Sequence, residues 1–146
     1  MGDREFYLRE ARARIGQLPH TCFLRSSSII ETEPVGGPPQ GKYLNVIWEI
    51  ETQLAPSALK DHLLAIEALL GRRRSGLNSP REIDIDLLFY GSQIVEEKNL
   101  KIPHPRLQER AFVLEPLAEL APDLIHPLSK KTVKELMENL RHENRA

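Results

Sequence analysis

Two aspartates one residue apart, Asp84 and Asp86, stand in the apolar run SPREIDIDLLFYG at residues 79–91. The Ile, Leu and Phe around them predict a strand. Side chains alternate across a strand, so both carboxylates leave by one face, roughly 7 Å apart. Like charges at that spacing repel each other and lose hydration against an apolar surface, which calls for a cation between or beside them. Carboxylate oxygens with nothing softer nearby suit Mg²⁺, a hard ion that shares its ligands with substrate phosphates. Two carboxylates on one face can bridge two such ions and clamp a polyphosphate. The plainer alternative is a solvent-facing pair at a sheet edge.

Arginines flank the pair. Arg72, Arg73 and Arg74 precede it in a Gly/Ser/Pro loop, GRRRSGLNSPR at residues 71–81, and Arg81 stands just before the strand. Guanidinium groups donate paired hydrogen bonds to phosphate oxygens, so aspartate-bound Mg²⁺ with several arginines is the chemistry of an ATP triphosphate site. Taken alone, the arginine run reads as a solvated helix end, where cations also complement the helix dipole. IPHPRLQERAF at residues 102–112 adds His104, held between two prolines, with Arg106 and Arg110. His20, His62, His126 and His142 are scattered, which argues against zinc. There is no complete Walker-type Gly-x-x-x-x-Gly-Lys-Ser/Thr loop, since Lys42 is followed by Tyr43, and no nucleophile elbow. Direct transfer to a bound acceptor is then the economical mechanism.

The elements that must position these groups follow from periodicity. A helix is predicted from Asp3 to about Gln17, with Leu8, Ala11, Ile15 and Leu18 as its apolar stripe. Strands are predicted over His20–Thr32 and Tyr43–Thr52, separated by EPVGGPPQGK, a loop with three Pro and three Gly in ten residues. Pro56 opens a helix with Leu59, Leu63, Ile66 and Leu70 on one face, ending near Gly71. After the aspartate strand come a hairpin-like excursion at 92–101 and a short helix broken at Pro116. A last helix starts at the capping box of Thr132 and Glu135 and runs to about Arg141.

The 146 residues suit a single domain, and 40% hydrophobic with 28% charged residues is ordinary globular composition. Twenty basic against 21 acidic residues give a net charge of −1, so no global field draws nucleic acid or membrane. The one cysteine, Cys22, allows no internal disulfide and is expected to be a small buried or half-buried apolar residue. No signal peptide and no apolar run of about 18 residues is present, which predicts a soluble, cytoplasmic protein.

SPREIDIDLLFYG, followed by IPHPRLQERAFVLEPLAELAP, resembles the hydroxymethyldihydropterin pyrophosphokinases of folate biosynthesis. ETEPVG and YLNVIWEIET resemble that family's pterin loop and third strand, and the likeness runs from residue 2 to about residue 140. The resemblance implies an α+β domain over residues 1–146, a ferredoxin-like βαββαβ sandwich with helices packed on an antiparallel-type sheet. It implies transfer of the diphosphoryl group of ATP to the hydroxymethyl of the pterin, with release of AMP. Asp84 and Asp86 would hold two Mg²⁺ ions, acting with Arg72 and Arg81 as the catalytic set. Arg72, Arg74, Arg81, His104 and Arg110 would meet ATP, with Glu67 and Leu87 on its adenosine side. Thr32, Pro34, Val35, Tyr43, Asn45 and Phe112 would surround the pterin. An aromatic such as Phe112 can stack on a flat ring, and Asn45 offers both donors and an acceptor. Without the family, Phe112 reads rather as core and Tyr43 as a strand residue.

Two departures from the family pattern carry expectations. The family usually opens with a strand ending in Gly-Ser-Asn, whereas here GDREFYLREA starts at Gly2. Either the chain start at Met1 lies too late, or that first, central strand is missing. After a genuine loss the sheet is expected to close up with three strands, or a second copy of the chain to cover the exposed edge as a homo-oligomer. In GLNSPR, Asn78 stands where a lid aromatic is usual, which weakens closure over the pterin. A catalytically impaired relative that still binds ATP–Mg²⁺ is the alternative function. A nucleotidyltransferase of the paired-aspartate type is the third, disfavoured because no Gly-Ser turn lies upstream.

Overall fold

The computed structural model describes residues 3–32, 43–71 and 83–145. In chain order these form α1 (Asp3–Gly16), β1 (Thr21–Ser26), β2 (Ile30–Thr32), β3 (Tyr43–Asn45), β4 (Trp48–Thr52), α2 (Pro56–Gly71), β5 (Val95–Glu97), β6 (Leu100–Ile102), a 3-10 turn (Leu107–Glu109), α3 (Ala111–Leu120) and α4 (Val133–Arg145). The class is α+β, as expected.

Spacing explains the helices. Leu59, Leu63, Ile66 and Leu70 recur every three or four residues on α2, and all four are buried. Each contributes about 1.5–3 kcal/mol by leaving water. On α1 the buried stripe is Tyr7, Ala11 and Ile15, while Leu8 is only half-buried. The Tyr7 ring takes the position foreseen for Leu8 and stands edge-on to Phe6, 5.5 Å between centroids. α1 and α2 pack together and form one core with Trp48, Ile50, Ile83, Ile85, Leu87 and Tyr90. A second core joins Leu107, Leu114 and Leu117 to Val133, Leu136, Met137 and Leu140, with Ile47, Leu88 and Phe89 against it. The foreseen break at Pro116 does not occur. Its ring is fully buried while α3 packs along α4, and only one intrahelical donor is lost.

The two long strands foreseen are each split. β1 pairs antiparallel with β4 from Thr21↔Thr52 to Ser26↔Trp48, and β2 pairs with β3 from Ile30↔Asn45 to Thr32↔Tyr43. Between the pairs, buried Ser27 donates its amide to the Ile47 carbonyl at 2.8 Å, and its hydroxyl accepts the Ile47 amide at 2.9 Å. A side chain thus takes over one ladder bond and bends the ribbon. Cys22 is exposed rather than buried, because Thr21 and Phe23 take the inward positions of β1. The hairpin at 92–101 is found as β5 with β6. The capping box is found as foreseen: the Glu135 amide donates to Thr132 Oγ1 at 3.1 Å, and the Thr132 amide to Glu135 Oε1 at 2.9 Å.

The largest correction concerns residues 83–90. They carry no ladder, and among the described residues each sheet has two strands, so neither a four-stranded sheet nor its closure to three is found. Backbone groups that a neighbouring strand would take are used otherwise. The Ile85 amide donates to Glu67 Oε2, and the Leu88 carbonyl accepts the His104 amide at 2.9 Å.

The turn before α4 is fastened by buried His126. Its Nδ1 accepts the amides of Leu128 and Ser129, both at 3.2 Å, and its ring stands edge-on to Phe89. Burial lowers its pKa below 6.5, and a proton on Nδ1 would abolish both bonds. The folded-state pKa lies below the unfolded one, so this contribution is whole above pH 6.5 and is lost as pH falls below it. Urea melts should therefore show stability declining below that pH, by at most about 1.4 kcal/mol per pH unit from this group. His126→Asn, whose amide oxygen can serve as the acceptor, should flatten the decline; an unaltered decline would remove His126 as its cause.

Candidate active site

Residues 83–90 lie between the two cores and alternate in burial. Ile83, Ile85 and Leu87 are half-buried toward α1 and α2, while Asp84 and Asp86 are exposed on the other side. Period-two alternation is the signature of extended chain, so the carboxylates share a face without a sheet beneath them. Leu88 continues that face but is covered by the α3–α4 core. The aspartates therefore stand where one face passes from packed to open.

Side chains hold the segment to α2 at both ends. Glu67 accepts the Ile85 amide between the two aspartates, and the Tyr90 hydroxyl donates to the Leu54 carbonyl just before α2. A charged acceptor makes the first bond one of the stronger kind. Glu67, matched in sequence to the adenosine side, is thus also the residue that positions Asp84 and Asp86.

His104 hangs from Leu88 through its backbone and is half-buried. Its Nδ1 accepts the Arg106 amide at 3.2 Å, which leaves the proton on Nε2 as a donor. Burial lowers its pKa most. Asp86 opposes this, and Arg110, Lys60 and Arg106 reinforce it, so the ring is neutral at pH 7. One carboxylate and three cations thus bear electrostatically on a neutral donor. Arg110 lies with its guanidinium carbon 5.8 Å from the centroid of the Phe112 ring, which is 40% exposed. Phe112 is therefore not core, and its ring is open to stacking.

Thr32 and Tyr43 are ladder partners at the end of the β2–β3 pair, and half-buried Asn45 stands opposite Ile30. β2 lies beside α3, the helix that begins at Ala111 and carries Phe112. The contact is fastened where Ser28 donates its amide and hydroxyl to the Glu119 carboxylate, at 3.2 and 2.7 Å. Thr32, Tyr43, Asn45 and Phe112 thus belong to adjoining elements. Arg72, Arg74, Asn78, Arg81, Pro34 and Val35 lie outside the described residues.

Comparison with known proteins shows the family. The sequence model described as 7,8-dihydro-6-hydroxymethylpterin-pyrophosphokinase (HPPK) matches residues 1–122. The chain belongs to that pyrophosphokinase family. It is 44% identical over 120 residues to the 2-amino-4-hydroxy-6-hydroxymethyldihydropteridine pyrophosphokinase of Bacillus subtilis, covering 82% of this chain and 72% of the relative. The protein of the same name from Synechocystis is 47% identical over 104 residues, covering 71% of this chain and 53% of the relative. That from Aquifex aeolicus is 35% identical over 135 residues, covering 92% and 83%. The chain thus spans about half of the Synechocystis relative and larger shares of the other two.

Within this member of the pyrophosphokinase family, two features escaped sequence reasoning. Lys60 acts on His104 but lies 44 positions away along the chain, on a helix read only for its apolar stripe. The Glu67–Ile85 bond joins a helix to a segment read as a ladder strand. The one available signal was Glu67 itself, a carboxylate beside Ile66 at the edge of that stripe.

Replacing Glu67 by Ala leaves the Ile85 amide without its acceptor. Stability should fall by about 1–3 kcal/mol in denaturant melts, and Mg²⁺-dependent ATP binding should weaken with it. Retention of both at the unsubstituted level would mean that the segment is held by its apolar face alone.

Proposed function

We infer that this chain transfers the terminal diphosphoryl group of ATP to the hydroxymethyl oxygen of 6-hydroxymethyl-7,8-dihydropterin in folate biosynthesis. The chain is an ATP-dependent pyrophosphokinase, a transferase. The observation that carries the reading is the exposed face bearing Asp84 and Asp86, with His104 within electrostatic reach of both Asp86 and Arg110, in a chain of this family.

The pterin oxygen attacks the β-phosphorus, the bond from that phosphorus to the AMP oxygen breaks, and AMP leaves. Asp84 and Asp86 are the residues to hold Mg²⁺, two ions in the full reading. Among the described residues no group of three or more His, Cys, Asp or Glu side chains forms a closed metal cage. Two exposed carboxylates suit a hard ion that keeps waters and takes its other ligands from phosphate. Magnesium held by Asp84 and Asp86 would supply charge neutralisation to the phosphates. Neutral His104 donates from Nε2, and Arg110 offers its guanidinium to the phosphates. Arg72, Arg74 and Arg81, which precede the segment in sequence, complete the phosphate-binding set, with Arg72 and Arg81 in the catalytic set. Glu67 and Leu87 flank the adenosine side. Thr32, Pro34, Val35, Tyr43 and Asn45 surround the pterin, with the Phe112 ring stacked on it.

The reading takes residues 1–146 as one pyrophosphokinase domain acting in the cytoplasm on pterin and ATP, with neither nucleic acid nor membrane as partner. No helix among the described residues is long and apolar enough to cross a membrane. Among the described residues β4 pairs with β1 alone, and its other edge would offer a second copy of the chain a place to add a strand.

Incubation with ATP, Mg²⁺ and the pterin tests the reaction: AMP should form only when all three are present. Asp86→Ala should abolish that AMP and the Mg²⁺ dependence of ATP binding, while circular dichroism keeps the native signature. Tight Mg²⁺-dependent ATP binding without AMP would instead establish an impaired relative. ATP binding by Asp86→Ala with undiminished Mg²⁺ dependence would overturn the metal assignment.

A further inference from the structure

Helix α2 and the segment at 83–90 run antiparallel, because Glu67 meets Ile85 at one end and Leu54 meets Tyr90 at the other. Lys60 lies seven residues before Glu67. Two helical turns bring it back to the same flank, roughly 10 Å along the axis. At about 3.3 Å per residue of extended chain, that distance reaches some three residues beyond Ile85, to the level of Leu88. The Leu88 carbonyl is where His104 is hung. Helix geometry and the backbone bond thus agree on one location for Lys60, beside His104 at the Asp86 end of the carboxylate pair. The pull of Lys60 on the imidazole agrees with it.

Lys60 is also poorly provided with acid on its own helix. The positions three and four residues away are Pro56, Ser57, Leu63 and Leu64, so no helical ion pair is open to it. Among the described residues no ion pair involves it. It is half-buried, unlike its exposed neighbour Asp61. A lysine on a merely solvated helix face would be expected fully exposed and matched by an acid one turn away.

We propose that Lys60 is a phosphate-contacting residue, its ammonium joining Arg110 and the His104 Nε2 donor along the phosphate chain of the bound nucleotide. The assignment rests on the ATP site described above. It adds to that site a cation that arrives from α2 rather than from the arginine-bearing loops. An ammonium on four methylenes can reach several ångströms beyond the helix surface while its stem stays packed.

The test uses the full chain with Mg²⁺·ATP, adenosine and the pterin as probes. Lys60→Met keeps the stem and removes the charge; Lys60→Gln is the second variant in case the first does not fold. Dissociation constants are read by calorimetry, and KM and kcat from AMP release. The variant should bind Mg²⁺·ATP roughly tenfold more weakly, the size of one charge-assisted hydrogen bond, with KM for ATP raised alike. Adenosine and pterin affinity should stay within twofold, and Lys60→Arg should recover most of the ATP affinity. A purely structural role would weaken adenosine along with ATP, and that result overturns the proposal. Unaltered ATP affinity in Lys60→Met and Lys60→Gln overturns it as well, while Mg²⁺·ATP binding lost in Asp86→Ala keeps the ATP site itself standing. Failure of the unsubstituted chain to bind Mg²⁺·ATP would remove the site and Lys60 with it.

Discussion

The Ile85 amide donates to the carboxylate of Glu67, and the placement of both aspartates depends on that bond. Ile85 lies between Asp84 and Asp86, so fixing its backbone fixes where each neighbour leaves the chain. In a regular sheet a ladder does this repeatedly, one bond every second residue on each side. Here one charged acceptor and one tyrosine hydroxyl hold the segment to α2, helped by Ile83, Ile85 and Leu87 packed into the core below. The precision of the carboxylate pair is therefore borrowed from a helix. That helix is itself stiffened by four buried aliphatic side chains.

The same segment divides stability from chemistry. Its inner residues serve the α1–α2 core, and Leu88 and Phe89 serve the α3–α4 core. Only the two acids remain outside both. A substitution at Ile85 or Leu88 disturbs packing before it disturbs charge, whereas one at Asp84 or Asp86 acts mainly through charge. His104 ties the halves together. Its backbone belongs to the segment through Leu88, and its ring faces cations from α2 and from the start of α3.

Local features of this arrangement were legible and long-range ones were not. The stripe of Leu59, Leu63, Ile66 and Leu70 states its helix and its buried face outright, because periodicity is set by neighbours three and four positions away. The capping box at Thr132 and Glu135 is equally local. That Asp84 and Asp86 share a face follows from period two alone, with or without a sheet, which is why that expectation held although the ladder did not form. Ladder pairing depends on a partner elsewhere in the chain, and nothing within IDIDLLFYG records whether one is there. The split at Ser27 was hidden for a related reason. Ser26 and Ser27 each turn a hydroxyl onto the next carbonyl, at 2.8 and 2.9 Å, and a serine reads the same in sequence whether it does this or faces solvent. Lys60 was missed because its distance from His104 is set by the antiparallel register of α2 against a segment that has no sheet to announce it.

Electrostatics explains why the acids can stand together before any nucleotide arrives. Two unit charges about 7 Å apart repel by about 0.6 kcal/mol in water, and by about 2.4 kcal/mol at the effective dielectric constant of 20 used near protein surfaces. Exposure keeps Asp84 and Asp86 toward the smaller figure, so the segment need not be strained to carry them. A polyphosphate changes the balance. Its charges would sit within a few ångströms of two carboxylates while excluding the water that screened them, and the repulsion would rise toward the larger figure for every pair. In the proposed site Arg110, Arg106 and Lys60 would offset part of this from the protein, and divalent ions on the acids would offset the rest. An acidic pair that costs little alone and would become costly only beside phosphate is suited to taking up a cation together with a phosphate ligand, as the proposed function requires.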